Sequence, residues 1–217
     1  SVNNPICIAN INFCALVVAA SIALITACST SEPESTTPTM VVLPSPGAFI
    51  DSADCRDLQY GHLSQSEVTV SIRDINLQVT VEIADEPSKR SQGLMCRKSI
   101  PNGTGMMFQY PTERSTGFWM YNTYVPIDIL YIDRSHNIVD KIRMTPCIRD
   151  GLTDDNWQVK CATEATNYVP AYEWFTVLEL AAGWLELNGI SDRDLELSLI
   201  HISEPTRPER IGYGVLW

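Results

Sequence analysis

Hydrophobic and polar positions alternate over much of this chain. Val68, Val70 and Ile72 are spaced by two, as are Leu77, Val79, Val81 and Ile83 beyond Arg73–Asn76. Two period-2 runs around a short polar turn predict a hairpin with one apolar face. Glu86–Leu94 follows, with Pro87 in its first turn, where a missing N–H is harmless, and Asp85 before it. That predicts a short helix capped by Asp85. Gly103 and Gly105 lead into a predicted strand over Met106–Tyr110. Two more short strands are predicted over Phe118–Tyr121 and Ile127–Ile132, and Asp133–Asn137 turns into another over Ile138–Met144. Tyr172–Leu180 reads as a long strand. Ala181–Asn188 reads as a helix with Gly189 in the C′ position. Sequential strands with few crossover helices predict an α+β domain, mainly antiparallel, its sheet partly closed and β-barrel-like, with two short helices.

One position breaks the apolar pattern where it matters. Ile127–Ile132 is apolar on both faces except for Asp128. A carboxylate in such a strand must find donors or a cation, or shift its pKa. The Asn122 amide, the Thr123 hydroxyl and the Trp119 indole N–H are nearby in sequence. Pro126, without an N–H, fits a strand entrance. Trp119, Asn122, Thr123 and Asp128 are therefore expected to form a polar corner that binds a ligand, with Arg97 or Arg90 as a cation. The alternative is that donors of the 122–125 corner, or an arginine, satisfy Asp128 and fix the turn.

The stretch Phe118-Trp119-Met120-Tyr121-Asn122-Thr123-Tyr124-Val125-Pro126-Ile127-Asp128-Ile129-Leu130-Tyr131-Ile132-Asp133 resembles the core of the bacterial and archaeal domain of unknown function 192. Val81–Asp85, Gln92–Arg97, Gly105–Phe108, Val177–Leu180, Ala182–Trp184 and Gly189-Ile190 extend the resemblance to roughly residues 77–197. Cys96 stands where relatives often carry glycine or an aromatic residue, and 148–169 is a longer insertion than theirs. The resemblance implies a closing strand near Asp192–Leu197. It supplies a fold and a place to look, and no reaction.

The ends of the chain suggest export. The apolar run Phe13–Ala27, 15 residues, is short for a span of about 20. It ends in Leu24-Ile25-Thr26-Ala27-Cys28, which looks like a lipoprotein lipobox. No Lys or Arg precedes it, so residues 1–27 are read as a truncated lipoprotein signal peptide and Cys28 as the lipidation site. The expected location is outside the cytoplasm, tethered to a membrane by lipid: the periplasmic side of the outer membrane in a Gram-negative cell, otherwise the extracellular face. Residues 28–66 are expected to be a disordered tether and lead-in segment, and 67–197 the domain. Residues 198–217 resemble translated sequencing-adapter sequence and are read as a non-native tail.

Seven cysteines become four once Cys7, Cys14 and Cys28 are set aside. An even remainder in an exported domain suggests two disulfides. Cys147 and Cys161 bracket the insertion; a bridge there closes about 15 residues and contributes about 3 kcal/mol in the chain-entropy picture. Cys55–Cys96 is then the second pair. Without C-x2-C or a neighbouring His, no metal site is expected.

The net charge of −11 argues against a basic surface for nucleic acid. Nucleophile elbows, zinc-protease helices and phosphate-cradling glycine loops are absent from the sequence, and no cofactor is called for. His62 and His136 read as solvated loop residues. Two function classes follow. One is a non-enzymatic envelope module that binds a small molecule, glycan or protein through the Trp119–Asp128 corner. The other is an envelope hydrolase or transferase using Asp128 with Glu82 or Glu179 as second carboxylate.

Overall fold

The predicted hairpin forms as β1 (Gln65–Ile72) and β2 (Ile75–Ala84), with Val68 opposite Val79 and Val70 opposite Leu77. Ile72 already faces Ile75, so the turn is Arg73-Asp74, with Arg73 at φ 52°. The computed structural model describes residues 45–56, 61–196 and 201–203, all within the compact unit Val41–Trp217. The expectations about the signal segment, Cys28, the spacer to Pro44 and the tail beyond Ser203 lie outside the described residues. Among the described residues no helix is long and apolar enough to cross a membrane.

The remaining elements are α1 (Pro87–Gln92), β3 (Thr104–Arg114), β4 (Ile127–Ile132), β5 (Ile138–Met144), α2 (Asp154–Glu164), β6 (Trp174–Ala181), α3 (Trp184–Leu187), α4 (Asp192–Glu196) and β7 (His201–Ser203). They make one sheet in the order β5-β4-β6-β3-β2-β1-β7. All its pairings are antiparallel except β2–β3, where the chain crosses back through α1 before Thr104 pairs with Thr80. A connection of that length permits parallel pairing, which a tight turn does not.

The sheet is open and does not close into the partly formed barrel expected. The reason is in the burial pattern. All six positions of β4 are buried. Met106, Phe108, Ile129, Tyr131 and Val177 pack on one face with Trp157 and Trp174. Met107, Leu130, Ile132, Leu178 and Leu180 pack on the other with Trp184, Leu185 and Leu195. Strands that are apolar on both sides need cover on both sides, so the sheet becomes a middle layer. Gly105 lets β3 lie close to β6: a Cβ there would stand 2.2 Å from the Glu179 carbonyl oxygen.

Several expectations are corrected. There are four helices among the described residues, not two. Phe118–Tyr121 is not a strand; Phe118 packs edge-on to Phe108 with ring centroids 5.0 Å apart, and Met120 is buried. Its alternating hydrophobicity serves core packing without a ladder. Asp192–Leu197 does not close the sheet as a strand: Asp192–Glu196 is α4, and the edge strand is His201–Ser203. Asp85 does not cap α1. Glu86 holds the N-cap position, and Asp85 pairs with Lys89 at 2.8 Å. The insertion forms α2, where Thr153 accepts from the Asn156 N–H at 3.4 Å.

Both expected disulfides form. Cys55 and Cys96 have Cα atoms 5.6 Å apart, and Cys147 and Cys161 5.7 Å. The first ties down the lead-in segment, which also bridges Phe49 to Arg97. The second anchors α2 beside the buried Trp157, whose indole N–H donates to the Cys147 carbonyl at 2.8 Å. Replacing Cys147 and Cys161 together by Ser is expected to lower the unfolding free energy by about 3 kcal/mol in urea titration. Unchanged stability, or free thiols at these positions in non-reducing peptide maps, would contradict the pairing.

Candidate functional site

Three carboxylates, Glu82, Asp128 and Glu179, sit in sheet strands with 4% exposure or less. An ionised carboxylate in such surroundings costs several kcal/mol unless partnered. Each meets that constraint differently.

Asp128 is fully enclosed. Arg143, directly opposite on β5, donates to both its oxygens from Nε (2.7 Å) and Nη2 (2.8 Å), and the Gly183 N–H donates at 2.8 Å. The pairing holds the half-exposed Arg143 guanidinium even further above its ordinary pKa, the Asp128 hydrogen bond being the largest cause. Gly183 begins α3 at φ 83°. Asp128 thus fixes the entry to α3, on the face shared with Leu130 and Ile132. The corner expected from the sequence is split, because Asp128 leaves β4 on the Leu130 face, whereas the loop residues Trp119 and Thr123 lie with Ile127 over the opposite face. Asp128→Asn is expected to cost about 2 kcal/mol, since Gly183 keeps an acceptor while the charge-assisted fork is lost. A drop in melting temperature with ligand binding intact supports this role; a normal melting temperature with lost binding contradicts it.

Glu82 accepts the Leu63 N–H at 2.6 Å and Arg97 Nη2 at 2.7 Å. Arg97 is 1% exposed, lies 4.3 Å over the Phe49 ring, and touches His62 Nδ1. Burial pulls the Arg97 guanidinium below its ordinary pKa, opposed by Glu82. Arg97, expected at the ligand site, is thus committed to an internal ion pair beneath the lead-in segment. His62, expected in solvent, packs against Phe49 with ring centroids 4.8 Å apart.

Glu179 has no such partner. Its cross-strand neighbours are Met106 and Ile129. Among the described residues no side chain or backbone group hydrogen-bonds its carboxyl, and burial alone pushes its pKa up to about 8. Glu179 lines a narrow cleft together with Trp119, Thr123, Arg90 and Leu94. Its free volume is about 40 Å³, little more than one water molecule occupies. Arg90, Phe118 and Trp119 also line an adjoining depression of about 350 Å³, together with Tyr110 and Arg114.

Local sequence builds these walls. Gly117 passes so close to the chain at Tyr168 that a Cβ would lie 2.7 Å from its carbonyl oxygen, which brings the next residues over the sheet. Trp119, 39% exposed, stacks on Tyr121 at 5.1 Å. Tyr121 in turn rests on Trp157 at 4.6 Å and donates its hydroxyl to Asp154 at 2.7 Å. Arg90 is aimed by two carbonyls: its Nη1 donates to Asp85 at 2.6 Å and to Gln109 at 2.8 Å. Asn122, at φ 53°, is consumed structurally; its amide donates to the Asp54 carbonyl at 3.0 Å and its carbonyl accepts the Cys96 N–H at 2.8 Å.

Of the residues nominated by sequence, Trp119 and Thr123 therefore meet at one cleft, with Glu179 and Arg90, which had been considered only as accessory groups. Tyr110 and Arg114 were missed. The signal for Glu179 was available: it interrupts the apolar run Val177–Leu180 just as Asp128 interrupts its own strand. Arg114 carried none, because only the bulged register that sets it opposite Trp174 brings it near.

The folded pKa of Glu179 lies above the usual 4.5, so the native state binds the proton more tightly than the unfolded chain. That contribution is complete below about pH 4.5 and is lost as pH rises towards 8. Stability is expected to fall over this window by a few kcal/mol, on the order given by the shift. Glu179→Gln should flatten that part of the profile in denaturant titrations at stepped pH. An equally steep decline in the variant would contradict it.

The domain is α+β, its sheet covered on both faces, with the Glu179 cleft beside the aromatic loop. The chain belongs to the family DUF192, described as Uncharacterized ACR, COG1430, whose profile matches residues 68–195, more than half of the chain. Among solved structures it resembles a Novosphingobium aromaticivorans DSM 12444 protein of unknown function at 20% identity, over 77% of this chain and 98% of that one, with a TM-score of 0.50. A Sinorhizobium meliloti 1021 protein provisionally named a transcription regulator is similar at 25% identity, over 66% of this chain and 95% of that one, with a TM-score of 0.46. No curated protein matches the chain.

Proposed function

We propose that the domain is a non-enzymatic binding module of the cell envelope that takes a small molecule in the depression beside Trp119, with the narrow Glu179 cleft as its polar end. The observation that carries this reading is a buried carboxyl with no hydrogen-bonding partner among the described residues, lining a narrow cleft together with an exposed tryptophan. Leaving a buried polar group unmatched costs about 1–3 kcal/mol, and a ligand that supplies the missing partner recovers it. The adjoining depression is of the size that holds small ligands. Paired-carboxylate catalysis finds less support. Asp128 faces the other side of the sheet, and Glu82 is held by Arg97 and the Leu63 N–H. Export is supported by the two disulfides, which persist in oxidising compartments. Lipid tethering at Cys28 is supported by the sequence Leu24–Cys28.

A fragment screen read by the indole ¹⁵N–H resonances tests the site. Binders are expected to shift the Trp119 signal, and Trp119→Ala or Glu179→Gln to weaken them while the domain stays folded. Binders that leave Trp119 untouched would place function elsewhere. For the tether, a palmitate-analogue label on cells expressing the gene from a complete start should vanish in Cys28→Ser. Equal labelling of both proteins would refute lipidation.

A further inference from the structure

The charges around the cleft run against the rest of the molecule. The chain has 26 acidic and 15 basic residues, and among the described residues most basic side chains form an ion pair, Lys98 and Arg193 being exceptions away from the cleft. Lys89 meets Asp85 at 2.8 Å, Arg97 meets Glu82 at 2.7 Å, and Arg143 meets Asp128 at 2.7 Å. Arg90 and Arg114 form no side-chain ion pair among the described residues; the Asp85 carboxylate, which Arg90 helps hold below its ordinary pKa, is itself bonded to Lys89. Both arginines stand over the same ring: their guanidinium carbons lie 4.8 Å and 5.2 Å from the Tyr110 centroid. Two like charges packed on one aromatic ring repel each other, and in an acid-rich chain carboxylates to neutralise them are plentiful. Their convergence without one leaves a local positive field at the depression they line with Trp119.

Arg90 is also pre-aimed. Its Nη1 is spent on the Asp85 and Gln109 carbonyls, which fixes the guanidinium plane and leaves Nε and Nη2 without an acceptor among the described residues. A planar guanidinium with open donors matches an oxyacid group. Trp119, meanwhile, offers an exposed ring braced from behind by Tyr121 and Trp157. We infer that the cleft binds a small molecule with an anionic oxyacid group, carboxylate or phosphate, on Arg90 and Arg114, and a planar apolar body against Trp119. This rests on the cleft being the ligand site. Glu179 is compatible with it, because a protonated carboxyl can donate a hydrogen bond and adds no repulsion towards an anion.

The test uses the intact, disulfide-bonded chain and three probes of similar shape: benzoate, phenyl phosphate and neutral benzamide. The readout is the Trp119 indole resonance, assigned with Trp119→Phe. Saturable shifts are expected with benzoate or phenyl phosphate, the tighter of the two identifying the oxyacid, and binding of benzamide about tenfold weaker. Added salt should weaken the anions and spare benzamide. Arg114→Gln, at an exposed residue without an acidic partner, should lose about tenfold for the anion, whereas the remote Arg193→Gln should not. Arg90→Lys, which keeps the charge and loses the fork, should also weaken it. Benzamide binding as tightly as the anions, or an Arg114→Gln variant with unchanged affinity, overturns the anionic assignment while leaving a ligand cleft at Trp119. No Trp119 shift with any probe overturns the inference outright, and the fragment screen then decides separately whether the cleft binds anything.

Discussion

The carboxylate in a dry sheet is the constraint on which this structure turns. Strands apolar on both faces give the domain its core, and they leave no wet side on which an acidic side chain can rest. Asp128 answers with the arginine opposite and a backbone amide, and thereby sets the start of α3. Glu82 answers with Arg97 and the Leu63 N–H, and so requires the lead-in segment around Phe49 and Leu63 to lie over the sheet. Glu179 has no such answer among the described residues, and it lines a cleft.

The supporting architecture follows the same division. Cys55–Cys96 and the Asn122 hydrogen bonds hold the segment that completes the Glu82–Arg97 pair. Cys147–Cys161, α2 and Trp157 brace Tyr121, which braces Trp119. One disulfide thus serves the internal ion pair and the other serves the wall of the cleft. The insertion at 148–169 is a buttress for the aromatic loop.

Much of the sheet was legible because period-2 hydrophobicity and turn residues are local signals. The β1–β2 hairpin, β5 and β6 follow from them directly, and the disulfide pairing from cysteine parity and spacing. Three features were not local. Parallel β2–β3 pairing depends on where the chain returns after α1. The loop at Phe118–Tyr121 alternates like a strand, yet its aromatics find their partners in the core. The open sheet follows from cover on both faces, which no single strand reveals. At the site, the logic that a carboxylate in an apolar strand needs a reason was sound for Asp128 and Glu179 alike. What sequence withheld was which of the two had a cation opposite: Arg143 is set by β4–β5 register, and Met106 and Ile129 by the pairings of β6.

Among the described residues Glu179 has no partner for its carboxyl, and a site-resolved titration tests this most directly. The side-chain carboxyl ¹³C shift of Glu179, assigned by comparison with Glu179→Gln, is followed from acid to alkaline pH in the ligand-free protein. A midpoint near 8 is predicted from burial alone. A midpoint in the ordinary glutamate range, near 4.5, would mean that a cation or solvent reaches the carboxyl, and the account of the cleft would fail.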